Sequence, residues 1–167
     1  EPPNPRRLSG QARSEQLIDR RVLLRAFGVL GPAEVLASLG TFVVVLRLGG
    51  WSFGTVPAPG LQAVASGAAF AAIVLGQLAN ADACRSQSQP FYRLDPRRNR
   101  LLLFAIGSEL ILLMSFLGIG PVARVLGGSW PTTAGWLLAL LAVPIVLLVD
   151  TLYKRLAAHR SLRETPK

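Results

Sequence analysis

The chain has 167 residues, 51% of them hydrophobic and 16% charged, and its 18 Lys+Arg against 9 Asp+Glu give a formal net charge of +9. A single cysteine and a single histidine exclude an internal disulfide, a multi-cysteine metal site and a histidine-based catalytic centre. Nucleic acid is not the partner this charge indicates, because no basic stripe is interleaved with aromatics and the basic residues flank apolar stretches, where they meet anionic headgroups.

Residues 1–25 read as a cytoplasmic N-terminal segment. Pro2, Pro3 and Pro5 disfavour a helix at its start. Ser14 to Arg25 predicts a helix with Ser14 as cap and Leu17, Arg21 and Leu24 on one side, leading into the first span. The opening residues lack the apolar core of a signal peptide, and a start at Glu1 reads as a chain cut from something longer. Four apolar spans follow, about 26–46, 61–83, 101–119 and 134–153. Each has roughly the 20 residues a helix needs to cross ~30 Å of hydrocarbon.

Within the first span, Pro32 predicts a local kink, and Gly28, Gly31 and Gly40 permit close helix approach. The second span carries small-residue rows, Ala65-xxx-Ala69 and Ala68-xxx-Ala72-xxx-Gly76, which predict a central helix. Cys84, just past it, reads as a small buried apolar residue. The connections 48–60 and 120–133 read as outer loops, with Trp51, Trp130 and Trp136 near the interface where indoles sit. Pro144 predicts a break in the fourth span. Residues 154–167, which include His159, form a basic cytoplasmic tail.

Charge placement orients the spans. Arg6, Arg7, Arg13, Arg20, Arg21 and Arg25 precede the first. Arg85, Arg93, Arg97, Arg98 and Arg100 lie between the second and third, and Lys154, Arg155, Arg160, Arg163 and Lys167 follow the fourth. The other two connections hold only Arg47 and Arg124. This alternation is the positive-inside pattern. The fold class is therefore an all-α integral membrane bundle of four transmembrane helices with both termini cytoplasmic, and its first partner is the lipid bilayer.

Polar residues inside spans are costly and mark functional candidates. Glu34 lies in the first span, Gln77 and Asn80 in the second and Glu109 in the third. At 1.5 Å per residue, Glu34, Gln77 and Glu109 lie ~10–15 Å from the cytoplasmic ends of their helices, so they can share one layer. Carboxylates with amide oxygens suit a hard cation or a proton relay. The competing reading is that these groups hydrogen-bond between helices and fix packing. Asp82 lies near the interface, hydrated or paired with Arg85, and Asp150 has Lys154 one turn on as a structural partner.

The segment around Gln77 to Asn99 (GQLANADACRS…FYRL…RRNR), followed by LLLFAIGSELILL, resembles the C-terminal membrane region of type II P-type cation-transporting ATPases. WLLALLAVPIVLLVDTLYKRL is similar to their tenth membrane helix, with Asp150 and Lys154 kept and Thr151 in place of a Glu. RRLSGQARSEQLIDRRVLLRAFGVLGPAE is similar to the run into the seventh. The resemblance implies the last four helices of such a pump. It further implies a candidate cation or proton site at Glu109, Gln77 and Asn80, the transported cation and the remaining pump domains as partners, and the plasma membrane of a bacterium as location. In sodium–potassium pumps the matching residues are Glu, Gln and Asp, and in reticulum-type calcium pumps a Glu matches Gln77, so this chain departs from both at a neutral side chain.

DKTGT and TGES motifs are absent from these 167 residues. The resemblance therefore implies no cofactor in this chain, ATP and Mg²⁺ only for a complete pump, and no ATP hydrolysis by these residues alone. Two other readings stand beside it. One is a small self-contained proton-coupled transporter using Glu34. The other is a purely structural membrane interaction domain.

Overall fold

Four helices long and apolar enough to cross a membrane dominate the computed structural model: Leu23–Leu48, Pro59–Ala83, Leu101–Gly118 and Thr133–Ala157. It describes residues 20–83 and 100–163, with side chains for 23–83 and 101–157. In chain order the elements are α1 (Arg20–Arg25), a π turn (Ala26–Leu30), α2 (Gly31–Leu48), α3 (Pro59–Ala83), α4 (Arg100–Gly118), α5 (Gly120–Val125) and α6 (Thr133–Arg163). No strand occurs among the described residues, and the protein is an all-α integral membrane bundle.

The kink expected at Pro32 takes a specific form. A proline inside a helix has no N–H for the carbonyl four residues back, and its ring crowds that carbonyl. Here the helix takes up one extra residue just before it: the Gly31 N–H donates to Ala26 O, a π-type step, and Pro32 then opens α2. A side chain at Gly31 would bring a Cβ to 3.2 Å from that same oxygen. Pro144 behaves differently from the sequence expectation. α6 runs unbroken through it. Pro144 and Leu140, whose carbonyl loses its partner, lie on the exposed face, while Ala139, Ala142 and Val146 pack inward and hold the helix across the gap.

The centre of the bundle is α3. Its inward positions are almost all small: Ala65, Gly67, Ala68, Ala71, Ala72, Gly76, Ala79 and Ala83 are buried. Between helices in lipid the driving force is close van der Waals packing rather than exclusion of water, so small residues let backbones approach. α6 and α2 pack on α3 most extensively. Leu113 and Leu117 of α4 join Ala71, Ala72, Leu75, Ala139 and Ala142 in one core cluster. α4 is otherwise peripheral, with Phe104 and Ile111 among its outward residues. Hydroxyls within the spans return to their own helices: Thr41 donates to Ala37 O, Ser115 to Ile111 O and Thr151 to Leu147 O. These bonds leave little for lipid to solvate.

At the end of the bundle that carries the tryptophans, the α4–α6 connection contains α5, a short helix not expected from sequence. The connection folds back so that the Ser129 N–H donates to Ala63 O at 3.0 Å. In the first loop the Arg47 guanidinium stands 4.5 Å over the Phe53 ring. The Trp51 indole N–H donates to Thr55 O at 2.7 Å.

Candidate functional site

The charged residues that are buried as whole side chains, among the described residues, are gathered in one place. Asp150 of α6 is fully buried, and Arg25 and Lys154 beside it are 8% and 7% exposed. Arg25 Nε donates to Asp150 Oδ1 at 2.8 Å, and its Nη2 reaches the same oxygen. Lys154 Nζ lies 2.7 Å from Oδ2, an ion pair whose angles fall short of a hydrogen bond. Both cations also donate to Ala83 O, each at 3.0 Å. Ala83 is the last described residue of α3. Three helices are thus tied at one end by two cations, a carboxylate and a carbonyl. This is a structural tie: the contacts that hold it run between side chains and a carbonyl of the same chain.

Nearer mid-bundle, Glu34 of α2 leans into α3. Its Cγ would stand 3.4 Å from a Cβ at Gly76, a position also faced by Ala142 and Val146 of α6. The Glu34 side chain hydrogen-bonds Asn80. Its Oε1 is buried and has no hydrogen-bond partner. The absence of a side chain at Gly76 is what admits the carboxyl between the three helices.

Gln77 and Glu109 lie elsewhere. Gln77 is exposed and Glu109 half-buried. Phe70 and Phe116 meet across α3 and α4 with centroids 6.4 Å apart. Counting about two turns from each ring toward the other end of the bundle brings Gln77 and Glu109 to one level. Among the described residues no hydrogen bond joins them. The layer expected from sequence is therefore divided by α3: Asn80 turns to Glu34 on one side, and Gln77 and Glu109 share the α4 side.

Asp82 is half-buried and engaged near the end of α3. Its expected partner Arg85 lies outside the described residues, as do Cys84 and the helical start expected from Ser14. Arg25 is the participant that sequence reasoning missed. It reads there as one of several orienting charges, and its partner is 125 residues away. The available signal was a lone Asp150 near one end of a span, with basic residues near the matching ends of neighbouring spans. No group of three or more His, Cys, Asp or Glu that could hold a metal occurs among the described residues.

A family model described as "Cation transporting ATPase, C-terminus" matches residues 1–156. Comparison with curated proteins returns no match.

Proposed function

Because this chain belongs to the C-terminal family of cation-transporting ATPases, we propose that it serves as the seventh to tenth membrane helices of a type II pump. In that role it buttresses the transport helices and lends Glu109, with Gln77, to a cation or counter-proton site; Asn80, expected beside them, turns to Glu34 instead. The observation that carries this reading is the shared level of Gln77 and Glu109 beside α4, the span with the smallest share of its residues buried, 11%. A polar pair at membrane depth that its own bundle does not enclose suits completion by helices from the rest of the pump. Those helices and the pump's soluble domains are its partners, and ATP and Mg²⁺ belong to the latter. The proposed location is the plasma membrane of a bacterium, with both termini and the 84–99 connection on the cytoplasmic side.

The test is Glu109→Gln in the complete pump. The concentration of transported cation giving half-maximal ATPase activity should rise roughly tenfold, the equivalent of about 1.4 kcal/mol. An unchanged cation dependence would leave Glu109 a packing residue. The isolated domain, purified alone, should show no ATPase activity.

A further inference from the structure

Among the described residues two buried side-chain oxygens have no hydrogen-bond partner, Asp150 Oδ2, which has the Lys154 ammonium beside it, and Glu34 Oε1, which has no ion pair. A carboxyl recruited only to hold helices together would have both oxygens engaged, since a buried acceptor without a donor is costly in a membrane. Here one oxygen is supplied by neither α3 nor α6: the side chains that meet over Gly76 are the Glu34 stem, Ala142 and Val146. From the geometry we infer that Glu34 and Asn80 form a proton-exchange site between α2, α3 and α6. The inference rests on the reading of the chain as part of a cation pump and adds to it a site distinct from Glu109.

Two features favour a proton over a metal ion. A hard cation of the calcium type takes six to eight oxygens, whereas no group of three or more His, Cys, Asp or Glu occurs among the described residues. A proton needs a single oxygen. Asn80 is also suited to both states of such a site. Its amide donates N–H to a carboxylate and, turned over, accepts O–H from a carboxylic acid. In the loading step an O–H bond forms at Oε1 as an O–H bond of a hydronium ion breaks, which leaves water and cancels the carboxylate charge. In the release step that bond breaks and the proton returns to water.

Charged groups on the packed helices are committed elsewhere. On α6, Asp150 and Lys154 begin one turn beyond Val146 and are locked with Arg25, which ends α1. Tyr153 and Arg155 flank Lys154, also beyond Asp150 along α6. Asp82 follows Asn80 toward the end of α3 and has its own interaction. On α2 the remaining charge is Arg47, at the far end against Phe53. Among the described residues Glu34 has no ion pair, so the positive charge it takes up must come from outside this set.

The experiment uses the complete pump in sealed liposomes with an internal pH dye, recording cation uptake and proton counterflow together. Glu34→Gln should cut protons moved per cation at least twofold while uptake continues, and Glu34→Asp should restore much of the counterflow. Asn80→Leu should displace the pH midpoint of counterflow. Should Glu34→Gln transport too poorly to measure, pH-difference infrared spectra of the detergent-solubilised pump should lose one carboxylic-acid band. Unchanged counterflow, pH profile and infrared difference would overturn the inference. A change in metal affinity with proton flow intact would overturn it in favour of a metal ligand. Glu109→Gln in the same preparation separates the two proposals: a response at Glu109 with none at Glu34 sinks only this one, and a response at neither sinks both.

Discussion

Asp150→Ala should destabilise the bundle by about 3–5 kcal/mol, the usual cost of removing one partner from a buried ion pair. The substitution takes from Arg25 and Lys154, which are 8% and 7% exposed, the carboxylate that both of them pair with. Desolvation of the two cations is not recovered when the compensating carboxylate is gone. Asp150→Asn keeps the shape and one acceptor but not the charge, so it should cost less than alanine and still more than 1 kcal/mol. The physical cause is separable from simple loss of packing. A triple replacement, Arg25→Met with Asp150→Leu and Lys154→Met, removes all three charges together and should lie much closer to the parent than Asp150→Ala does. Thermal unfolding of the purified domain in detergent reads all of these. A single Asp150→Ala change that left unfolding within 1 kcal/mol of the parent would mean the charges are hydrated rather than enclosed.

Gly67→Ala is the second large effect. A Cβ at this position would lie 1.9 Å from Ser129 O and 3.1 Å from Ser129 C, so the obstacle is backbone and cannot rotate away. The loop would have to lift from α3, and the Ser129 N–H bond to Ala63 O would be lost with it. Overpacking of this kind costs about 1–3 kcal/mol. The same substitution at Gly40, where nothing lies within 4 Å, provides the control. There alanine should be neutral or stabilising by up to about 1 kcal/mol, from helix propensity alone. The difference between the two variants in detergent unfolding isolates loop docking. Equal responses would show that the loop does not bear on Gly67.

What could be read in advance follows from how far apart the cooperating residues are. Span length and composition are local properties, so the four membrane helices were legible from residue content alone. The central place of α3 was legible from Ala68, Ala72 and Gly76, because small residues at four-residue spacing mark one face. Asp150 and Lys154 sit one turn apart, within the reach of a spacing argument. Arg25 does not, since nothing in the primary structure says which cation a buried carboxylate selects from across the bundle. Depth counting could place Glu34, Gln77 and Glu109 in one layer but could not give the rotation of each helix. Rotation is set by Gly76, where the only room for Glu34 lies, and by the Phe70–Phe116 contact on the other side of α3. The proline at position 144 was misread for a related reason. A backbone defect on an exposed face is tolerated when the opposite face is packed, and which face that is depends on neighbours.

Sidedness of the loops is the most direct measurement. In a pump variant with Cys84 replaced by alanine, a single cysteine at position 52, between α2 and α3, should react with a membrane-impermeant thiol reagent added to intact cells. A single cysteine at position 97 should react only after the cells are opened. Labelling of both positions in intact cells, or of neither after lysis, would contradict a bundle of four spanning helices held with the 84–99 connection inside.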